Sequence, residues 1–263
     1  MKHLIRSFVA LAMYTGCAIS SAAPAYGDQG PMLIAGKLLL DPAMTPDEQD
    51  EAIRNLAQAR ANIVAVYGEQ KADMPEVIWC KMNACVTYFA GTSGRSFATP
   101  GKGFHRIGAQ HVFWRSTIVF TRPARVRAPV DIRAVETLTH ELSHIEFSAR
   151  LTGASVPAWF NEGVATYVGK EQVCQAGMKS VDTLTELDSA EKWSVHTNRD
   201  GKTLVNTYCQ ASEEVGAWIA ARGGFKAIVD LLGKRAWGSS FNSLYGPLMQ
   251  PEKNGEDSIK ETQ

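Results

Sequence analysis

The sequence predicts an α+β fold, with a small twisted sheet toward the N-terminus leading into a central helix and then a mostly helical C-terminal half. Three observations predict it. Residues 77–79, 86–89 and 116–121 are rich in β-branched and aromatic side chains between glycine-containing turns, which marks strands. From Asp131 the pattern becomes helical, with Ile132, Val135, Leu138, Leu142 and Ile145 recurring at three- and four-residue spacing. Beyond Asn206 the apolar positions keep that helical period almost to the end.

In chain order, residues 26–41 read as weakly ordered, punctuated by Gly27, Gly30, Pro31 and Gly36. A helix follows from Pro46, with Asp47 and Glu48 suited to its first turn. Its packing stripe runs through Ile53, Leu56, Ala57, Ile63 and Val64 to Gly68. The strand-like segments come next, the first two joined by a tight connection between Cys80 and Cys85. The turn-rich stretch after Gly91 carries His105 and His111, neither in a partner motif. Arg122, Arg125, Arg127 and Arg133 read as a solvated connector around Pro123 and Pro129. Gly153 ends the central helix, and Pro157 starts another at a position that tolerates proline. Residues 173–204 are polar and poorly periodic, with His196 in a loop-like stretch. One helix is then expected from about Asn206 to Gly223, one over 225–232, and a short one including Phe241 and Leu244.

The organising stretch is Thr139-His140-Glu141-Leu142-Ser143-His144, an H-E-x-x-H pattern within the central helix. Residues i and i+4 of a helix lie one above the other, so His140 and His144 share a face. Two imidazoles at that spacing can grip one zinc ion, and Glu141 beside them is suited to act as base on water there. A catalytic zinc usually has three protein ligands. Glu162, 18 residues after His144 on the next helix, offers the third. It lies in an otherwise apolar Trp-Phe-Asn-Glu-Gly-Val-Ala setting, where a carboxylate should be paired or bound to metal. Gly163 beside it lowers helix propensity, which predicts a close approach of backbone or metal. For the outer nitrogens of the histidines, Asn161, Glu136 and Glu146 are candidate partners. The strand at 118–121 is expected to be an edge strand lining the cleft, where an extended peptide could add by backbone hydrogen bonds.

The chain has 263 residues and zero formal net charge, which leaves no electrostatic footprint for nucleic acid. No internal apolar run is long enough to be a transmembrane segment. Residues 1–25 read as a signal peptide: Lys2 and Arg6 precede a short apolar stretch, with Ala23 and Ala25 placed for cleavage. Tyr14-Thr15-Gly16-Cys17 offers a secondary reading, a lipid anchor at Cys17. Either route makes the protein exported, periplasmic or secreted. Four further cysteines then suit two disulfides. Of three connectivities, Cys80–Cys85 and Cys174–Cys209 are favoured because each stays within its own region. The organisation expected is therefore a signal peptide (1–25), a helix plus β-rich region (26–117), a catalytic region (118–250) and a disordered tail (251–263).

H-E-x-x-H followed by W-F-x-E-G-x-A-x-Y resembles the gluzincin zinc metallopeptidases, especially the minimal peptidase-MA-like domains of bacteria. The resemblance spans about residues 118–248. It implies a zincin-like fold, zinc held by His140, His144 and Glu162, Glu141 as general base, and a peptide or protein substrate. It also implies a tyrosine or histidine on a later helix as oxyanion donor. Tyr208 fits that place, with His196 and Tyr167 behind it. A Cys174–Cys209 bridge would then hold Tyr208 in register with the zinc. The chain lacks a recognisable exopeptidase motif for anchoring a substrate N-terminus. Two other activities share these residues: a zinc amidase acting on cell-wall peptides, and a catalytically quiet, zinc-stabilised binding module.

Overall fold

The computed structural model describes residues 33–90, 97–99, 105–107, 110–112, 117–121 and 134–246. Within them the fold is α+β, as the sequence predicts. Strands β1 (Leu33–Ala35) and β2 (Leu38–Leu40) form a hairpin, so part of the stretch expected to be weakly ordered is sheet. Helix α1 (Pro46–Tyr67) carries the chain across to β3 (Glu76–Cys80), which pairs parallel with β2. Parallel neighbours need such a crossover, since a tight turn reverses direction. Helix α2 (Asn83–Ala90) and strands β4 (Phe97–Thr99), β5 (His105–Ile107) and β6 (Gln110–Val112) precede β7 (Thr117–Thr121). The main sheet has the order β1-β2-β3-β7-β4, and β5 pairs with β6 separately.

Side chains alternate along β3. Val77 and Trp79 join the large core shared with the helices, whereas Ile78 and Cys80 join a small cluster with Leu39, Cys85 and Phe89. The large core is continuous from Leu38 to Tyr245, so the N-terminal sheet and the C-terminal helices share one apolar interior.

Helix α1 begins with a capping box: Glu48 N–H donates to Thr45 Oγ1, and Thr45 N–H donates to Glu48 Oε2. Its buried face is Ala52, Leu56, Ala59, Ile63, Val66 and Tyr67, while Ile53, Ala57 and Val64, expected in the stripe, are exposed. It packs on α3 (Ala134–Leu151), the H-E-x-x-H helix. Polar pairs fix that contact: Asn62 Nδ2 donates to Thr139 Oγ1 (3.2 Å), and Tyr67 Oη lies 2.7 Å from Ser143 Oγ. Glu146, fully buried, accepts from Arg150 Nε (2.7 Å) and from the backbone N–H groups of Lys71 and Ala72 (2.9 Å each). Glu146 thus ties the chain leaving α1 to the far face of α3, and its expected role beside a ligand histidine is not realised.

The segment 86–89, expected as a strand, is helical in α2. Both neighbours of β3 are already taken, so no slot exists for a hairpin partner. The buried Asp41 carboxylate also captures the N–H groups of Lys81 and Met82 (both 2.8 Å), turning the chain where β3 ends. The Cys80–Cys85 bridge, placed correctly by the sequence, therefore joins a strand to a helix. A second correction concerns residues 118–121: β7 lies inside the sheet, and β4 is the edge strand that runs beside α3.

The C-terminal half comprises α4 (Ala158–Gly169), a short 3-10 turn (Leu184–Leu187), α5 (Ala190–Thr197), α6 (Gly201–Ala221), α7 (Lys226–Ala236) and α8 (Phe241–Tyr245). Helix α5 replaces the loop expected around His196, and α6 starts five residues before Asn206. The side chains of Ser189 and Asp200 explain both, each accepting a backbone N–H three residues on. Trp159 and Phe160 of α4 sit in an aromatic cluster with Trp218, Phe241 and Tyr245, mostly edge to face. Residues 1–25, expected to be a signal peptide, with Cys17 among them, the arginine cluster and residues 251–263 lie outside the described residues.

Helices α4 and α6 touch at glycines. A Cβ on Gly163 would lie 2.6 Å from Ala211 O, and one on Gly216 would lie 2.6 Å from the Tyr167 ring. The close approach predicted at Gly163 is one of backbone. Gly163→Ala should therefore destabilise the protein by about 1–3 kcal/mol through overpacking, despite alanine's better helix propensity. Denaturant unfolding would show it, and equal or greater stability would contradict this packing account.

Candidate metal centre

Helices α3 and α4 bring three groups together. His140 Nε2 and His144 Nε2 are 3.0 Å apart, and Glu162 Oε2 is 3.4 Å from each. All three derive from the predicted residues, and α3 and α4 pack closely enough that a Cβ on Gly169 would meet Glu136 O at 3.0 Å. The sites on α3 are buried nearly all round, including the ligand-bearing face: His140 and Glu141 are each 8% exposed.

The outer nitrogens decide what the inner ones can be. His140 Nδ1 is 2.8 Å from Glu171 Oε1, and His144 Nδ1 is 3.3 Å from Asn161 Oδ1. Both partners are acceptors, so each Nδ1 carries a hydrogen and a neutral ring presents a lone pair at Nε2. Two lone pairs and a carboxylate oxygen then face one another. Glu162 Oε2 is buried without a hydrogen-bond partner. A proton on an imidazole, or a metal ion between the three, would satisfy this arrangement. Tetrahedral ligands about 2.0–2.1 Å from a zinc ion stand about 3.3 Å apart, which matches the observed 3.0, 3.4 and 3.4 Å. His140, His144 and Glu162 form the group that could hold a metal ion among the described residues.

Without a metal, protons must serve. Burial opposes a charge on His140, but the carboxylates of Glu162, Glu171 and Glu141 outweigh it and raise its pKa well above the ordinary range. The His144 pKa rises as well, burial being outweighed chiefly by Glu162. Burial disfavours charge on Glu162 too, yet the two imidazoles hold its carboxyl far below the usual carboxylate range. Burial pushes the Glu141 carboxyl up, against the pull of the two histidines.

Glu171 was missed in the sequence because it stands beyond the apolar motif, just after α4 ends at Gly169 with Lys170 in the left-handed region (φ 55°). A carboxylate placed where a ligand-bearing helix turns back was the available signal. Of the expected partners, Asn161 serves His144, whereas Glu136 accepts from Gln172 N–H (3.4 Å) and Glu146 is the α1 anchor.

Tyr208, on α6, has its ring centroid 6.1 Å from that of His140 and is met edge-on by Trp193 at 5.0 Å. Burial and the nearby carboxylates push its hydroxyl pKa above the ordinary value, so it stays protonated and able to donate. The two residues ranked behind it lie elsewhere. Tyr167 packs over Gly216 and against Phe225. His196 contacts Ser180 Oγ (3.2 Å) and lines a separate open cavity of about 530 Å³ with Lys179 and Arg199. The side chains of His105 and His111 lie outside the described residues.

Fold and site together define an α+β protein with a two-histidine, one-carboxylate group, buried at His140 and partly buried at His144 and Glu162, that is able to hold a metal ion. No family model matches the chain, and comparisons with curated proteins and with solved structures return no match.

Metal and protons compete here, which sets a pH dependence. In metal-free protein the raised histidine pKa values contribute stability that is complete below their ordinary value of about 6.5 and is lost as pH rises through the raised values. A metal needs unprotonated Nε2 atoms, so its stabilisation grows over that same interval. The Tm difference between zinc-loaded and chelator-treated protein should therefore widen from about pH 6 to 8. A constant or narrowing difference would contradict the assignment.

Proposed function

We propose that this protein is an exported zinc-dependent peptidase with a zincin-like catalytic unit. The observation that carries the reading is the convergence of His140, His144 and Glu162 beside a fourth buried group, Glu141, which the metal group itself does not use. The two-nitrogen, one-oxygen donor set suits zinc. A zinc ion, when bound, supplies Lewis-acid polarisation of a carbonyl and makes a nearby water more acidic.

The chain's own residues then divide the remaining work. Glu141, a carboxylate whose basicity is increased by burial, takes the proton of the attacking water and delivers it to the leaving amine. Tyr208, protonated and next to His140, donates a hydrogen bond to the developing oxyanion. Glu171 and Asn161 fix the ring orientations of His140 and His144. The edge strand β4 beside α3 offers backbone groups to an extended peptide. Two disulfides, at Cys80–Cys85 and Cys174–Cys209, suit an oxidising compartment and support export.

Glu141→Gln separates the peptidase from a quiet binding module. The variant should keep its zinc and its Tm while kcat/KM on a broad peptide pool falls about 10²–10⁴-fold, the range for losing a general base. Hydrolysis equal in variant and wild type would refute the role of Glu141. Zinc in both with no hydrolysis of any peptide or amide would leave the binding module in its place.

A further inference from the structure

We propose that the Cys174–Cys209 bridge is a positioning element of the metal centre, setting metal affinity through Glu171 and aligning Tyr208 at the same time. The inference rests on the metal-centre reading above.

Two groups that face His140, a carboxylate and a phenol ring, come from the two segments that the bridge joins. Glu171 accepts the Nδ1 hydrogen of His140 at 2.8 Å and lies three residues before Cys174. Tyr208, whose ring tilts 32° against that of His140, is adjacent to Cys209. Between them the chain forms one short turn, with Cys174 N–H donating to Glu171 O (3.2 Å). The covalent link therefore reaches Glu171 through a single hydrogen-bonded turn and reaches Tyr208 through one peptide bond.

The other ties of this segment to α6 lie farther along. Gly177 N–H donates to Glu213, Ser180 and Val181 N–H groups donate to Gln210 Oε1, and Asn206 Nδ2 donates to Lys179 O. They fix residues 177–181. Residues 172–176 separate them from Glu171, and in that interval the bridge is the tie to α6 among the described residues. Toward α4, Glu171 follows Lys170 in the left-handed conformation that ends the helix. Without the bridge, Glu171 would be held at that corner only by its own contact with His140 and by the long hydrogen bond from Gln172 N–H to Glu136 (3.4 Å), so its carboxylate would be less firmly placed. With it, the carboxylate is held against the imidazole, raising the basicity of the ligand nitrogen and keeping its lone pair on the metal side.

A bridge that only stabilised the fold would weaken metal binding independently of Glu171. A bridge that acts through Glu171 makes the two losses overlap, and a double-mutant cycle reads the difference. Zinc affinity is measured by competition with a chromophoric chelator at pH 7.5 on oxidised full-length wild type, Glu171→Gln, Cys174→Ser with Cys209→Ser, and the triple variant. Glu171→Gln should weaken zinc binding about 10- to 100-fold in the bridged protein, the range for an outer-sphere partner. Loss of the bridge should weaken it about tenfold, and adding Glu171→Gln to the bridgeless protein should cost under about threefold more. Zinc affinity within twofold of wild type on bridge loss, or losses that simply multiply, would overturn the proposal. If the double-serine protein does not fold, Cys174→Ala with Cys209→Val, which keeps the Cys80–Cys85 bridge and frees no thiol, replaces it, with the same expected loss. A wild type that binds no zinc would instead overturn the metal-centre reading itself.

Discussion

The constraint that organises the site is the holding of three electron-rich atoms within 3.4 Å of one another inside a folded protein. With neither a proton nor a metal between them, two imidazole lone pairs and a carboxylate repel, and burial deprives them of water. The fold answers with geometry on every side. Glu171 and Asn161 turn the rings, the Glu146–Arg150 pair and Tyr67 anchor the opposite face of α3, and the aromatic cluster around Phe160 fixes α4. A buried ion pair such as Glu146–Arg150 is seldom a net source of stability. What it contributes here is a link between the chain leaving α1 and the face of α3 away from the histidines.

The same constraint explains the glycines. Glu162 can reach the histidines because α4 is sandwiched between α3 and α6, and that sandwich closes at Gly163, Gly169 and Gly216. Gly163 brings the backbone of α6 against α4, so Tyr208 arrives beside His140 from the far side. His140, its outer partner Glu171 and the Tyr208 ring come from three chain segments, and small residues set the distance between them.

The sequence made the site legible because its chemistry is written in local spacing. His140, Glu141 and His144 are fixed relative to one another by one helix, so periodicity placed them, while Glu162 on the next helix was marked by its apolar setting and by the motif resemblance. Gly163 was legible for the same reason, as a propensity loss that only a close contact would justify. Glu171 was not, because its contact with His140 depends on how the chain turns after α4, which no period records. The strand expected at residues 86–89 failed because β-propensity lost to topology: both edges of β3 were occupied, and Asp41 turned the chain into α2. The edge-strand expectation failed similarly, since the three-residue β4 is too short to declare itself in sequence yet displaces β7 from the edge. Helix α5 was hidden by polar composition and announced only by its Ser189 cap.

The central claim is that one metal ion belongs between these three side chains. Anomalous diffraction from zinc-loaded crystals, recorded on either side of the zinc absorption edge, tests it most directly. The account predicts a single strong peak contacting His140 Nε2, His144 Nε2 and Glu162 Oε2. A map with no peak there, or with zinc held by other residues while these three stay empty, would contradict it.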